Sequence, residues 1–292
     1  MAFNWTTFWT RTFTALIFVA VMAAGLLGSY TSFFALITII HFGCWYEYLK
    51  LIDKIHATRQ DVFVHLGFAL LGFHIVLLFG DFYFLGYHVA RSFSFPFLVA
   101  GLVFIIWGIF RQAYIHKKAL GIAALGLLYI SLSVGLLLYM RLSQYPLIKD
   151  SGQLWGHENG FYVPIIIILA IWINDTMAYL VGSAIGKTPF SKISPKKTLE
   201  GTLSGMILCV AAITLILQPF FNWPLLLGIS LMVSVFGTLG DLLESKIKRM
   251  AGVKDSGRIM PGHGGFLDRF DSLLIAVPAV WMFLELVNYL LK

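Results

Sequence analysis

Charge is what this sequence has least of. Asp, Glu, Lys and Arg make up 12% of the 292 residues and hydrophobic residues 59%, against about 25% and about 45–50% in a soluble domain. That deficit excludes an ordinary soluble enzyme. Cysteine is nearly absent, and the only two, Cys44 and Cys209, lie inside apolar runs, which excludes a disulfide scaffold and says nothing about the compartment. No GxxxxGK[ST] phosphate loop and no HExxH metal pair occurs. His41, His65, His74 and His88 show no metal-ligand spacing and read as packing or interface residues, and no stretch is polar enough to form a separate soluble domain.

What is present is a succession of apolar runs, each near the roughly 20 residues that span a bilayer. Nine are found: Thr12 to Gly28, Tyr30 to Tyr48, Val62 to Phe79, Ser94 to Phe110, Ala119 to Met140, Phe161 to Ile185, Leu203 to Phe221, Pro224 to Gly240 and Phe270 to Leu291. The expected fold is therefore all-α, a polytopic integral membrane protein of about nine transmembrane helices. It forms a single domain over 1–292, with an N-terminal helical region (1–160) and a catalytic region of helices and loops (161–292). The first run reads as an anchor, not a cleaved signal, since no polar mature domain follows it. Short joints at Gly28 and Trp223 predict antiparallel hairpins.

The net charge of +7 follows topology, not nucleic-acid binding. If Arg11 and the loops after even-numbered helices share one side, that side holds all but four of the 21 basic residues, the four being Arg91, Arg141, Lys149 and Lys292. The N-terminus and the basic loops then face the cytoplasm and the C-terminus lies outside.

Two of these cytoplasmic segments carry chemistry. The larger, Gly240 to Asp271, contains the carboxylates Asp241, Glu244, Asp255, Asp268 and Asp271 together with six Lys or Arg, one His and six Gly. Carboxylate oxygens suit a hard cation such as Mg²⁺, which also bridges phosphates. Basic side chains neutralise phosphate charge, and glycine lets backbone amides approach an anion. On a helix, Asp241, Ser245 and Lys248 fall on one face at i, i+4 and i+7. A solvated basic connector would account for the lysines singly. It has no need of Pro261-Gly262-His263-Gly264-Gly265 followed by Asp268-Arg269-Phe270-Asp271 at the mouth of a helix.

The second segment, Gly186 to Gly201, contains Lys196-Lys197-Thr198, which reads either as half a phosphate cradle or as a plain basic loop. Asp175, within the sixth run, is a functional candidate because an intramembrane carboxylate is costly; the alternative is an interhelical hydrogen bond from Asn174 or Asp175. Glu47, near the cytoplasmic end of the second run, reads as a snorkelling or ion-paired side chain.

Ser245, Lys248-Arg249, Lys254-Asp255, Pro261, His263-Gly264-Gly265, Asp268-Arg269 and Asp271 together resemble the signature of the phosphatidate cytidylyltransferase (CDP-diacylglycerol synthase) family, at that family's spacing. Gly240-Asp241, Ser194-Pro195-Lys196-Lys197-Thr198 with Glu200-Gly201, and Asn174-Asp175 with Ala178-Tyr179 support the resemblance; Met260 departs from it by a same-size apolar exchange. The resemblance implies transfer of CMP from CTP to phosphatidate, with release of pyrophosphate. It implies Asp241 and Asp268 as leading metal ligands and Asp271 as a further one, Mg²⁺ as cofactor with K⁺ as a plausible second cation, and a homodimer in the lipid bilayer. Lys196, Lys197, Lys248, Arg249, Lys254 and Arg269 become phosphate contacts, with Thr198, Ser245, Gly264, Gly265 and Asp175 also in the substrate site. His263 either donates to the leaving pyrophosphate or shapes the Gly264-Gly265 turn. Compactness and the lack of a targeting segment suggest a bacterial plasma membrane, with an organellar membrane as the alternative. The rival functions are a CTP-dependent transferase with another lipid acceptor and an ion-coupled transporter using Asp175.

Overall fold

Apolar runs of this length have one way to satisfy their backbone in lipid, the α-helix, and the computed structural model is built almost wholly of helices. It describes residues 5–148, 159–259 and 264–291. In chain order these form α1 (Trp5–Leu27), α2 (Tyr30–Ile55), α3 (Val62–Leu78), a two-residue-per-strand hairpin β1 (Tyr83–Phe84) and β2 (Tyr87–His88), α4 (Val89–Arg111) and α5 (Lys117–Gly126). A π-helical turn, Leu127–Leu132, then leads into α6 (Ser133–Leu142), and a 3₁₀ turn (Asn159–Phe161) precedes α7 (Tyr162–Ile185), α8 (Leu199–Leu217), α9 (Trp223–Met250) and α10 (Leu267–Leu290). The α5–α6 stretch is continuous and counts as one span. Among the described residues seven helices are long and apolar enough to cross a membrane, while Thr12–Leu27 and Val62–Leu78 are shorter apolar helices. The chain is a polytopic membrane protein. The apolar pattern does not announce the tiny hairpin at 83–88.

Two compact units form: 1–135 with 247–270, and 136–246 with 271–292. Helices α9 and α10 each run from one into the other.

In the first unit, α3 packs along α4, and Gly67 and Gly101 let the two backbones touch: a Cβ at Gly67 would lie 2.8 Å from the Gly101 carbonyl oxygen. The core of this unit contains a small polar knot. Trp45 Nε1 donates to Ser131 Oγ at 2.9 Å, and His41 Nε2 lies 3.1 Å from the same hydroxyl. Ser131 belongs to the π-helical turn, an irregularity that re-aims side chains within a helix. All three residues are fully buried, which places His41 in packing, as its lack of metal spacing predicts.

In the second unit, α7 and α8 meet along a ladder of small residues at four-residue spacing. A Cβ on Gly201 would lie 2.6 Å from the Ala178 carbonyl oxygen, and one on Gly205 would lie 2.8 Å from that of Asn174. One turn further on, Cys209 Sγ donates to the Ala170 carbonyl at 3.2 Å. This is the small-xxx-small contact by which membrane helices approach closely where no hydrophobic driving force separates them from lipid. It fixes the register of α8 on α7. Gly205→Leu should force the pair apart and cost about 1–3 kcal/mol of stability, read as a lowered thermal midpoint in detergent. Ile207→Leu, on the exposed side of the same helix, should leave the midpoint unchanged.

Candidate active site

The polar segments do not hang as loops; each is folded onto a carboxylate. In the second unit, the stretch between α7 and α8 doubles back on itself. Glu200, in the first turn of α8, accepts from the backbone N–H groups of Lys187 and Thr188, both at 3.1 Å. Leu199 N donates to the Thr188 carbonyl at 2.8 Å and Phe190 N to the Lys197 carbonyl at 2.7 Å. Thr198 caps α8, its hydroxyl accepting from Gly201 N at 3.2 Å, as Thr at a helix N-cap commonly does. Pinned in this way, Lys197 reaches Asp241 on α9 and forms an ion pair with its Oδ2. Ser245, one turn further along α9, donates to Asp241 Oδ1 at 3.2 Å.

Asp175 lies on α7, where Asn174 Nδ2 donates to its Oδ1 at 3.3 Å; Asp175 is exposed while Asn174 is buried. Asp271 is buried, with Oδ1 accepting from Ser272 N at 2.6 Å. Its backbone carbonyl lies so close to Gly240 that a Cβ there would overlap it. Lys196 points to solvent.

In the first unit, the last turn of α9 faces the first turn of α10. Lys248 Nζ donates to Asp268 Oδ1 at 2.6 Å, the two side chains being only 13% and 8% exposed. The other carboxylate oxygen, Oδ2, accepts from two backbone amides of the intervening segment, Ser256 N at 2.9 Å and Gly265 N at 2.8 Å, and lies 2.9 Å from Ser256 Oγ. Gly264 holds φ +82°, and a Cβ on it would lie 2.6 Å from Asp268 Oδ2, so the turn that brings the Gly265 amide to the carboxylate excludes any larger side chain. Arg249 turns away from this cluster and donates to the Val253 carbonyl at 3.3 Å, closing the end of α9. Lys254 and Arg269 are exposed. His263 and its neighbours Met260, Pro261 and Gly262 lie outside the described residues.

Glu47 is placed otherwise than its position near a helix end suggests. It does not snorkel, and among the described residues it takes no basic partner: it is 1% exposed, and its Oε2 accepts from Ser256 Oγ at 2.7 Å and from Leu267 N at 2.9 Å. Ser256 and Glu47 are thus site residues that motif spacing does not reveal. For Glu47 the signal was available, since a carboxylate in an apolar run marks function by the same rule that singles out Asp175.

Among the described residues no group of three or more His, Cys, Asp or Glu side chains could by itself hold a metal ion. Each unit instead holds one lysine–carboxylate contact, and carboxylate oxygens are the ligand type that hard cations take. The two pairs differ in burial, and hence in cost. Lys248→Ala strands a buried carboxylate and should lower stability by about 3–5 kcal/mol. Lys197 and Asp241 are 31% and 25% exposed, so Lys197→Ala should cost about 1 kcal/mol or less; chemical denaturation in mixed micelles measures both.

Over 126 residues the chain is 45% identical to the phosphatidate cytidylyltransferase of Staphylococcus aureus, strain COL, a stretch covering 41% of this chain and 48% of that protein. The proteins of the same name from Staphylococcus epidermidis and Staphylococcus saprophyticus are 47% identical over 126 and 127 residues, with the same shares. The match spans about half the length of these relatives. The model of the cytidylyltransferase family matches nearly the whole chain, residues 9–287: this protein belongs to the cytidylyltransferase family.

Proposed function

We propose that the protein is a phosphatidate cytidylyltransferase, moving CMP from CTP to phosphatidate and leaving CDP-diacylglycerol in the membrane. The observation that carries this reading is the family match over residues 9–287; the two lysine–carboxylate pairs, formed by residues of the polar segments, support it. A phosphate oxygen of phosphatidate attacks the α-phosphorus of CTP, the bond from that phosphorus to the bridging oxygen of the β-phosphate breaks, and pyrophosphate leaves. The attacking oxygen is already anionic, so the reaction needs neither a protein nucleophile nor a strong base. The work of the chain is to position charged groups and to offset the charge on them.

Lys197 and Lys248, each held by a carboxylate, are the phosphate contacts whose placement is best defined. Lys196, Lys254 and Arg269 extend the positive surface, with Arg249 behind them. Ser245 orients a phosphate beside Asp241, and Thr198 shapes the mouth of α8. Gly264 and Gly265 admit the ligand close to the backbone, with His263 beside them. Asp241 and Asp268 are the proposed Mg²⁺ ligands, Asp271 a further one, and Asp175 a second-rank substrate contact; Mg²⁺ bound there would offset charge on the CTP phosphates, and K⁺ is the proposed second cation. Nine spans, a cytoplasmic N-terminus and active site, an external C-terminus, a bacterial plasma membrane and a homodimer complete the reading.

Lipid-soluble label should appear when the purified protein is given radiolabelled CTP, phosphatidate micelles and Mg²⁺. EDTA should abolish it, and Asp268→Asn should reduce it at least about 100-fold. Label that forms only with a different lipid phosphate would move the activity to another acceptor, and absence of label with every acceptor would overturn the reading.

Topology is tested separately. Cys44 and Cys209 are both buried, so cysteines introduced at Lys192 and Arg258 can be labelled against a low background. Both should react with an impermeant maleimide from the cytoplasmic side alone, and labelling from opposite sides would separate the two basic segments.

A further inference from the structure

Glu47 stands on α2, more than two hundred residues away in sequence from the segment that it holds, and two of its neighbours show how closely that segment is moulded to it. A Cβ on Gly257 would overlap Glu47 Oε1, and one on Gly265 would overlap both carboxylate oxygens. One turn earlier on α2, Gly43 receives the ring of Phe266: a Cβ there would lie 2.5–2.8 Å from three ring carbons. Gly43 and Glu47, at i and i+4, therefore form one seat. Phe266 packs on the first, and the Leu267 N–H docks on the second. Leu267 opens α10, so its N–H is one of the first-turn donors that no helical carbonyl can satisfy, and a carboxylate is the acceptor favoured there.

The link to Asp268 runs through Ser256. Its hydroxyl lies 2.7 Å from Glu47 Oε2 and 2.9 Å from Asp268 Oδ2, and it also accepts from Asp268 N at 3.3 Å. With Ser256 N and Gly265 N on Asp268 Oδ2 as well, every described contact on that oxygen comes from the segment seated on Glu47. Oδ1 is left to Lys248.

We infer that Glu47 is a positioning residue for the transferase site: by seating Ser256, Gly265 and the N-terminus of α10, it sets the rotamer of Asp268 and so the direction in which Asp268 Oδ1 and Lys248 face the reacting phosphates. Glu47 itself touches neither substrate. The inference rests on the function proposed above, but the seating of the segment is tested without it. Supports of this kind typically contribute 10- to 100-fold.

Glu47→Gln keeps the shape and removes the charge. In it, hydrogen exchange of peptides spanning 254–270 should speed up at least about 10-fold, with peptides from α7 and α8 unchanged, and kcat for CMP transfer should fall about 10- to 100-fold with KM for CTP altered less than about threefold. Glu47→Asp should recover part of kcat. Ser256→Ala, at a partly exposed position, should reproduce part of the kinetic loss, and the double variant should be no worse than the poorer single one, because the Ser256 hydroxyl is one of the contacts through which Glu47 holds the segment. Should Glu47→Gln fail to fold, Ser256→Ala carries the kinetic arm and Glu47→Asp the exchange arm. Unchanged exchange in the segment, additive losses in the double variant, or faster exchange with full kcat would each overturn the inference. A wild-type protein that transfers no CMP would instead overturn the proposed function, and the exchange result would still decide whether Glu47 seats the segment.

Discussion

A carboxylate at the first turn of a largely apolar helix must be fully solvated by something, and in this protein the solvent of Asp268 is the chain itself. Lys248 takes one oxygen and two backbone amides, of Ser256 and Gly265, take the other. Much of the first unit's polar architecture follows from this requirement. The Gly264 turn delivers an amide to Asp268, Ser256 sits where its amide reaches Asp268 and its hydroxyl lies between Asp268 and Glu47, and the segment carrying them is pressed against Glu47 so closely that Gly257 and Gly265 leave no room for a side chain. A mostly buried charge with partners on both oxygens is held in one direction.

The second unit solves a similar problem more loosely. Lys197 reaches Asp241 from a loop whose base is locked by Glu200 and by the Thr198 cap, and that loop stands on the α7–α8 ladder of Gly201, Gly205 and Cys209. Both members of the pair keep some exposure. Of the two lysine–carboxylate contacts, then, one is tightly determined and one is open to exchange partners. Charged groups that are partly solvated exchange partners at lower cost than buried ones, so Lys197 is the more easily released of the two lysines.

How much of this was legible in the sequence depends on range. The apolar runs located the helices because membrane spans need little tertiary context, yet they understated α2, which continues past Tyr48 to Ile55, and α9, which continues past Gly240 to Met250: polarity marks where the lipid stops, not where the helix does. The contact of Ser245 with Asp241 was readable because the two stand one turn apart on one helix. The pairing of Lys197 with Asp241 needed the fold, since only the loop's return onto Thr188 aims that lysine. Lys196, beside it in sequence, points to solvent, and Arg249, beside Lys248, caps its own helix; a run of basic residues does not show which member faces inward. A carboxylate in an apolar run singles out Glu47, but its partners lie more than two hundred residues away, so no local pattern names them.

The proposed function requires that Asp241 or Asp268 meet the nucleotide through a cation. The most direct measurement is an experimental structure of the protein with CTP and Mn²⁺, the ion located by its anomalous signal. An ion should lie about 2 Å from a carboxylate oxygen of Asp241 or Asp268, with CTP phosphate oxygens completing its shell and Lys197 or Lys248 turned onto them. CTP and Mn²⁺ bound elsewhere, with both lysine–carboxylate pairs intact, would contradict this.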